Sequence, residues 1–271
     1  MTHAGDQLAF AGRREELHRL RTAMKNRESL LIWGPADSGK TALAMKAIEQ
    51  FPEAYRSKCI YCSAPGSIRD LLSQIVLRLS RERDPCVREK LFQEGEREEM
   101  PENWLRKQTS LRLRGIAFRA MERERYWIFL DHVPAASRAM ARLMKEFVWR
   151  CKTPVYLLAR GKTEHVIGRA WSLYWTDEFR IGLPPLNEFE AGRLFEKCVL
   201  HFGLADFYLD EFRQEVLRRS SRQPGSIVKM CELAANPRYQ HGEQIKIKLV
   251  HVDYLMRTNP GNLRISPDLS P

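Results

Sequence analysis

No uninterrupted apolar run in the 271 residues approaches the roughly 20 needed to span a bilayer, so a membrane-spanning helix is not expected. The first residues, Met1-Thr2-His3-Ala4-Gly5-Asp6-Gln7, lack a charged region followed by an apolar one, and no signal peptide is expected. A cytoplasmic protein with no membrane partner follows from both absences. The six cysteines, at 59, 62, 86, 151, 198 and 231, include one C-x-x-C (Cys59 to Cys62) but no second ligand pair at zinc-site spacing. Buried free thiols are therefore expected rather than a metal knot. There is no internal repeat, no guanine-reading Asn-Lys-x-Asp, and no paired-carboxylate or Cys–His pattern of a nuclease or transferase. Acidic residues are the scarcer sign: 34 Asp+Glu against 45 Lys+Arg leaves a formal charge of +11. That balance favours association with polyanions and is silent about fold.

What the chain does contain is concentrated in Leu30-Leu31-Ile32-Trp33-Gly34-Pro35-Ala36-Asp37-Ser38-Gly39-Lys40-Thr41. Four apolar residues predict a short buried strand. Gly34-x-x-x-x-Gly39-Lys40-Thr41 is the full P-loop pattern, and Ala42, Leu43, Ala44, Met45 and Ile48 predict a helix directly after it. Backbone N–H groups of the loop (Gly34, Pro35-flanked, through Asp37, Ser38 and Gly39) and of the first helical turn (Lys40, Thr41, Ala42) would converge on phosphate, aided by the helix dipole. Lys40 can reach the β- and γ-phosphates and the Thr41 hydroxyl can ligate Mg²⁺.

A second diagnostic stretch is Tyr126-Trp127-Ile128-Phe129-Leu130-Asp131-His132, an apolar strand ending in Asp, the Walker B pattern. Asp131 is the candidate second metal-holding residue. Further strands are predicted at 58–63, 153–159 and 179–183, alternating with helices such as the one capped by Ser67-Ile68-Arg69-Asp70. This alternation predicts an α/β fold with a parallel sheet covered on both faces. Residues 81–103, charge-rich and interrupted by Pro85 and Pro101, are expected to be an exposed insertion. After Pro184-Pro185 the pattern is all-helical to about 235. Residues 236–271 form a C-terminal extension, expected extended around Ile245–Val252 and disordered from 258. The domains expected are a core over 1–183, a lid over 184–235, and the extension.

Phe10-Ala-Gly-Arg-x-x-Glu-Leu, Gly34–Thr41, Leu130-Asp131, Leu158-Ala-Arg160, Gly182-Leu-Pro-Pro-Leu186 and Gln223-Pro224-Gly225 together resemble an AAA+ or STAND-type P-loop ATPase, nearest to the initiator-like and transposition-associated branch. The resemblance implies a three-layer P-loop NTPase with a five-stranded parallel sheet, a small helical lid, ATP with Mg²⁺ as cofactors, and a homo-oligomer. It also implies roles for residues. Arg160 falls where a γ-phosphate sensor sits, Pro224 where a lid proline packs near the nucleotide, and Arg169 where an arginine finger could serve a neighbouring protomer. In the family the residue after the Walker B aspartate is usually Glu. Here it is His132, either a base in its own right or a strand-end residue with no catalytic part.

Two functions follow. One is an ATPase (hydrolase) that assembles on DNA, with Arg112, Arg119 and Arg123 along one helical face as phosphate contacts. The alternative is a nucleotide-gated, STAND-like switch or scaffold with little hydrolysis, which would recruit a protein partner through the C-terminal tail. A solvated arginine face is the plain alternative for the stripe.

Overall fold

The computed structural model describes residues 12–93 and 101–258. It divides into two compact units, one made of Arg13–Ala36 and Leu43–Leu183, the other of Asp37–Ala42 with Pro184 onward.

In the first unit, α1 (Arg14–Asn26) precedes β1 (Leu30–Trp33); α2 (Lys40–Glu49) follows the P-loop, its residues from Leu43 belonging to this unit and Lys40–Ala42 to the second. A one-turn helix α3 (Glu53–Arg56) leads to β2 (Cys59–Ser63), and α4 (Ile68–Arg81), α5 (Pro85–Gln93), α6 (Pro101–Lys107) and α7 (Ser110–Arg123) come before β3 (Trp127–Asp131). Then α8 (Arg138–Trp149), β4 (Val155–Ala159), the short α9 (Glu164–Ile167), two 3-10 turns (Arg169–Leu173 and Asp177–Phe179) and β5 (Arg180–Gly182) complete the unit. The five strands form one parallel sheet in the order β2-β3-β4-β1-β5. This is the five-stranded α/β P-loop NTPase arrangement expected from the sequence.

Every residue of β3 and β4 is buried, as an interior parallel strand covered on both faces requires. Helix α4 starts where expected. The Ser67 hydroxyl accepts from the Asp70 N–H at 3.1 Å, while Asp70 accepts from the Gly66 N–H at 3.0 Å. Behind this cap Leu71, Leu72, Ile75, Val76 and Leu79 point into the core.

The expectation of an exposed insertion over 81–103 is corrected in the described part. Pro85 and Pro101 do not break structure; each opens a helix, the position where a missing N–H costs nothing. Asp84 is buried, accepts from the Cys86 N–H at 2.8 Å and from the Tyr126 hydroxyl at 2.5 Å, and so fixes the start of α5. Cys86, Val87, Trp104 and Leu105 join the core. Residues 94–100 lie outside the described residues.

The second unit carries α10 (Glu188–His201), α11 (Asp210–Arg219) and α12 (Pro224–Ala234), with Asn187 accepting from the Glu190 N–H at 2.8 Å as an N-cap. A 3-10 turn (Pro237–Tyr239) and a two-residue hairpin, β6 (Gln240–His241) with β7 (Gln244–Ile245), follow. The extended element expected at Ile245–Val252 is instead the start of a helix, α13 (Ile247–Thr258). The run Ile-Lys-Ile-Lys-Leu-Val-His-Val alternates like a strand over its first residues. Yet Ile247, Val250 and Tyr254 at i, i+3 and i+7 all meet the same apolar core, which spans Leu186 to Val250. The helical unit therefore reaches 258 rather than ending near 235. The disorder expected beyond it, and the Phe10-Ala11 pair, lie outside the described residues.

Candidate functional site

The carboxyl ends of three adjacent strands define the site. The P-loop leaves β1 at Gly34, whose N–H donates to the Ala159 carbonyl of β4 at 3.2 Å. Leu183 N–H, just past β5, donates to Trp33 O at 2.8 Å, so the mouth of the loop is fixed from both sides. Between β4 and β2 lies β3, with Asp131 in register with Leu158 and Ser63. In open parallel sheets ligands sit beyond these carboxyl ends.

Within the loop, Asp37 and Gly39 hold left-handed torsions, φ +62° and +87°. At Gly39 glycine is the residue that takes this conformation without strain. The Lys40 ammonium lies 3.2 Å from the Ser38 hydroxyl, and Ser38 is buried. Thr41 is the second residue of α2 and partly exposed. Ala42 is buried in the first helical turn, while Pro35 and Ala36 are exposed at the loop tip.

The loop also has partners in its own unit. Gly225 N–H donates to the Asp37 carbonyl at 2.8 Å, and Lys229 Nζ meets Asp37 Oδ1 at 2.7 Å. The hydroxyls of Ser226 and Tyr254 each lie 3.2 Å from Asp37 Oδ2. A Cβ on Gly225 would come within 2.9 Å of Asp37 Cβ and 3.1 Å of its backbone, so this approach requires glycine. Pro224 is the first residue of α12, 3.6 Å from where a Cβ on Gly39 would stand. Lys229 and Tyr254 escape sequence reasoning, because nothing in spacing connects them to residue 37.

Asp131 is 1% exposed. The Tyr61 hydroxyl of β2 donates to its Oδ2, and the His132 N–H donates to Oδ1 at 2.8 Å. The His132 ring folds back onto the same carboxylate, Nδ1 to Oδ1 3.0 Å, on a backbone held at φ +54°. Tyr61 is a second residue the sequence did not single out. Its only signal is a polar-tipped ring in the middle of a mostly apolar strand. Arg160 is exposed at the end of β4.

The other candidates sit on other elements. Arg169 opens a 3-10 turn, is exposed, and pairs with Glu164 at 3.2 Å. Its position is set by the chain pairing of Ala136 with Gly168, where Arg169 N–H donates to Ala136 O at 2.8 Å. Arg112, Arg119 and Arg123 are exposed on α7, and Arg123 also reaches the Cys86 sulfur at 3.8 Å. All six cysteines are free and buried, and burial pushes the Cys59 and Cys62 thiols up to about 12. Among the described residues no group of three His, Cys, Asp or Glu could hold a metal, and no helix is long and apolar enough to cross a membrane.

The family model described as "AAA ATPase domain" matches residues 9–158, more than half of the chain. The chain belongs to the AAA ATPase family. Membership carries nucleotide binding with it. No curated protein matches the sequence. Among solved structures, the Orc1 protein of Aeropyrum pernix, determined in complex with DNA, superposes with a TM-score of 0.63 at 14% identity, covering 90% of this chain and 65% of that one. Cdc6p of Pyrobaculum aerophilum gives 0.60 at 9% identity, with 82% and 61% coverage. A Walker-type ATPase of Pyrococcus abyssi gives 0.59 at 13%, with 93% and 73% coverage. At these identities the likeness is one of fold. This AAA ATPase chain spans less than two-thirds of the Orc1 and Cdc6p chains.

Proposed function

We propose that this chain is an ATP-binding, Mg²⁺-dependent AAA+ ATPase of the cytoplasm that couples its nucleotide state to self-assembly and to binding of DNA or a protein partner. The observation that carries the reading is the P-loop itself, leaving β1 at the carboxyl edge of the sheet with the buried Asp131 two strands away.

The residues present suit the cofactors. Gly34 and Pro35 shape the turn, the Gly34 N–H being held by the Ala159 carbonyl, and the backbone N–H groups of Asp37, Ser38, Gly39 and Ala42 are the candidate phosphate donors. Lys40 supplies a cation for the β- and γ-phosphates, and Pro224, the first residue of α12, would bound the nucleotide. The Thr41 hydroxyl and Asp131 carboxylate are the hard oxygen donors that Mg²⁺ prefers. When bound, Mg²⁺ would offset charge that builds on the phosphates. Arg160 acts as the γ-phosphate sensor, Arg169 as the finger offered to a neighbouring protomer, and His132 as the group nearest to a base. DNA enters as a partner because the Aeropyrum pernix Orc1 likeness was solved bound to it, and because the chain carries a charge of +11. Arg112, Arg119 and Arg123 are the first phosphate contacts to test. Replacing all three with Gln should lower the slope of log affinity against log salt, and an unchanged slope excludes them.

A second reading, the nucleotide-gated switch with little turnover, is favoured by a specific observation. The His132 ring lies on the Asp131 carboxylate, and the residue directly after Asp131 is not acidic. In that reading the segment after α13 recruits the protein partner. ATP turnover measured with and without duplex DNA, beside Lys40→Ala, separates the two. DNA-stimulated turnover that Lys40→Ala abolishes supports the ATPase. Tight binding with no turnover in either condition supports the switch.

A further inference from the structure

We propose that the groove between α8 and the 3-10 turn Arg169–Leu173 is a binding site for single-stranded nucleic acid, with unstacked bases on tryptophan and phosphates on arginine and lysine. One wall is a single helical face. Arg138, Arg142, Lys145 and Trp149 recur at i, i+4, i+7 and i+11, spanning about 16 Å along the axis. Arg169 and Trp171 stand on the other wall, and the groove encloses about 630 Å³.

Its charge is of one dominant sign. Four cations line it against two carboxylates, Glu146 and Glu164. Those carboxylates are engaged: Glu146 takes Arg114 and Arg142, the latter at 3.2 Å, and Glu164 takes Arg169 at 3.2 Å. Arg138 and Lys145 form no ion pair among the described residues, and the Lys145 ammonium lies 5.4 Å over the Trp149 ring. Trp149 is 59% exposed, a large ring left in water at the end of a helix whose opposite face is fully packed.

Trp171 is partly buried against the core with the Arg180 guanidinium 5.3 Å over its ring, so Trp149 is the accessible stacking face. A cationic groove beside an accessible aromatic face is the pattern that binds single strands without reading sequence. Duplex DNA keeps its bases stacked and would leave the Trp149 face unused, whereas an acidic peptide would use the cations and leave that ring idle. The inference supplies a site for the nucleic-acid arm of the proposed function and rests on that arm for its choice of polymer, not on ATP binding.

The test is fluorescence anisotropy of a labelled oligo-dT on the full chain without nucleotide, across a salt series, with an equal-length blunt duplex and poly-glutamate as competitors. Trp149→Ala should weaken binding about 5- to 150-fold, the range for one lost base stack, while Trp149→Tyr retains most of it. Arg142→Gln with Lys145→Gln should lower the salt slope by about 1.4. Wild-type affinity in Trp149→Ala overturns the site, as does competition by duplex or poly-glutamate equal to that of unlabelled oligo-dT. Light scattering adds one more arm: a Trp149→Ala variant that loses self-association but keeps oligo-dT affinity would assign the groove to contact between copies. A fluorescent ATP analogue binding normally to Trp149→Ala keeps failure of the groove distinct from failure of the P-loop.

Discussion

Lys229 of α12 donates to Asp37, the left-handed residue in the middle of the P-loop, at 2.7 Å. The same carboxylate takes the hydroxyls of Ser226 and Tyr254, and the Asp37 carbonyl takes the Gly225 N–H. The Asp37–Ala42 part of the loop is thereby tied through one residue to both α12 and α13. Any rearrangement of the loop at residue 37 would disturb these bonds.

The bonds are unequal. Lys229 is 48% exposed, so its ion pair is screened, and Lys229→Ala should cost less than about 1 kcal/mol of stability. Asp37→Ala removes the acceptor shared by Lys229, Ser226 and Tyr254, leaving the two hydroxyls, 2.8 Å apart, to bond each other, and puts alanine at positive φ, with an expected cost of about 2 kcal/mol. Asp37→Gly, free of the torsional part, should fall between them. Urea unfolding of the three variants checks the order. Equal losses would show that the carboxylate is not the shared tie.

Tyr61 holds Asp131 from β2. Tyr61→Phe removes the donor from a buried carboxylate and should cost about 1–3 kcal/mol in thermal or urea unfolding. It should also raise the Mg²⁺ concentration needed for half-maximal nucleotide binding, because the carboxylate loses the bond that fixes its orientation. Asp131→Asn should remove most of the Mg²⁺ dependence. An unchanged Mg²⁺ requirement in both variants would separate Asp131 from the metal.

His251 of α13 gives a pH signature. Its Nδ1 lies 2.8 Å from the Arg219 guanidinium, an arrangement that suits a neutral ring accepting from arginine. Burial first, then Arg219 and Arg218, lower its pKa below the ordinary 6.5, with Glu215 opposing. The unfolded chain therefore takes up a proton near 6.5 while the folded chain still resists. Stability should be full above that value and fall as pH drops from about 6.5 toward the lower folded pKa. His251→Gln should shrink the difference in melting temperature between pH 7.5 and 5.5. A difference as large as in the wild type would place the acid sensitivity elsewhere.

Gly168 is held at φ +68°, and an added Cβ would stand 2.4 Å from Ala136 N and 2.5 Å from Ala136 O. Both contacts are backbone, so nothing can swing aside. Gly168→Ala should cost more than about 2 kcal/mol and displace Arg169 with it. Gly203 has a similar φ of +66° with nothing within 4 Å of its would-be Cβ. Gly203→Ala should cost only about 1 kcal/mol, the torsional share alone. Equal costs in calorimetry would mean that crowding at Ala136 does not matter.

Much of the fold was legible because its signals are local. The β1–P-loop–α2 unit, the Ser67 and Asn187 caps and the apolar run to Asp131 each reside in a dozen residues or fewer, and periodicity reads them directly. The errors arose where one local signal had two meanings. Pro85 and Pro101 look like breakers but serve as first residues of helices, a distinction set by the buried Asp84 and by packing of Trp104. Ile245–Val252 alternates like a strand, but the core accepts only Ile247, Val250 and Tyr254, which is helical spacing. Around the site, the loop and Asp131 were readable from motif. Tyr61, Lys229 and Tyr254 were not, since they approach Asp131 and Asp37 through strand register or helix packing across 70, 192 and 217 residues.

The central claim is that Gly34–Thr41 holds Mg²⁺ and ATP. The most direct measurement is titration of a fluorescent ATP analogue into the wild-type chain and into Lys40→Ala, with Mg²⁺ and with EDTA. The account predicts saturable binding by the wild type, strengthened by Mg²⁺, and weakened at least tenfold by Lys40→Ala, a loss of about 1.4 kcal/mol or more. A wild-type chain that fails to bind, or a Lys40→Ala chain that binds equally well, would contradict it.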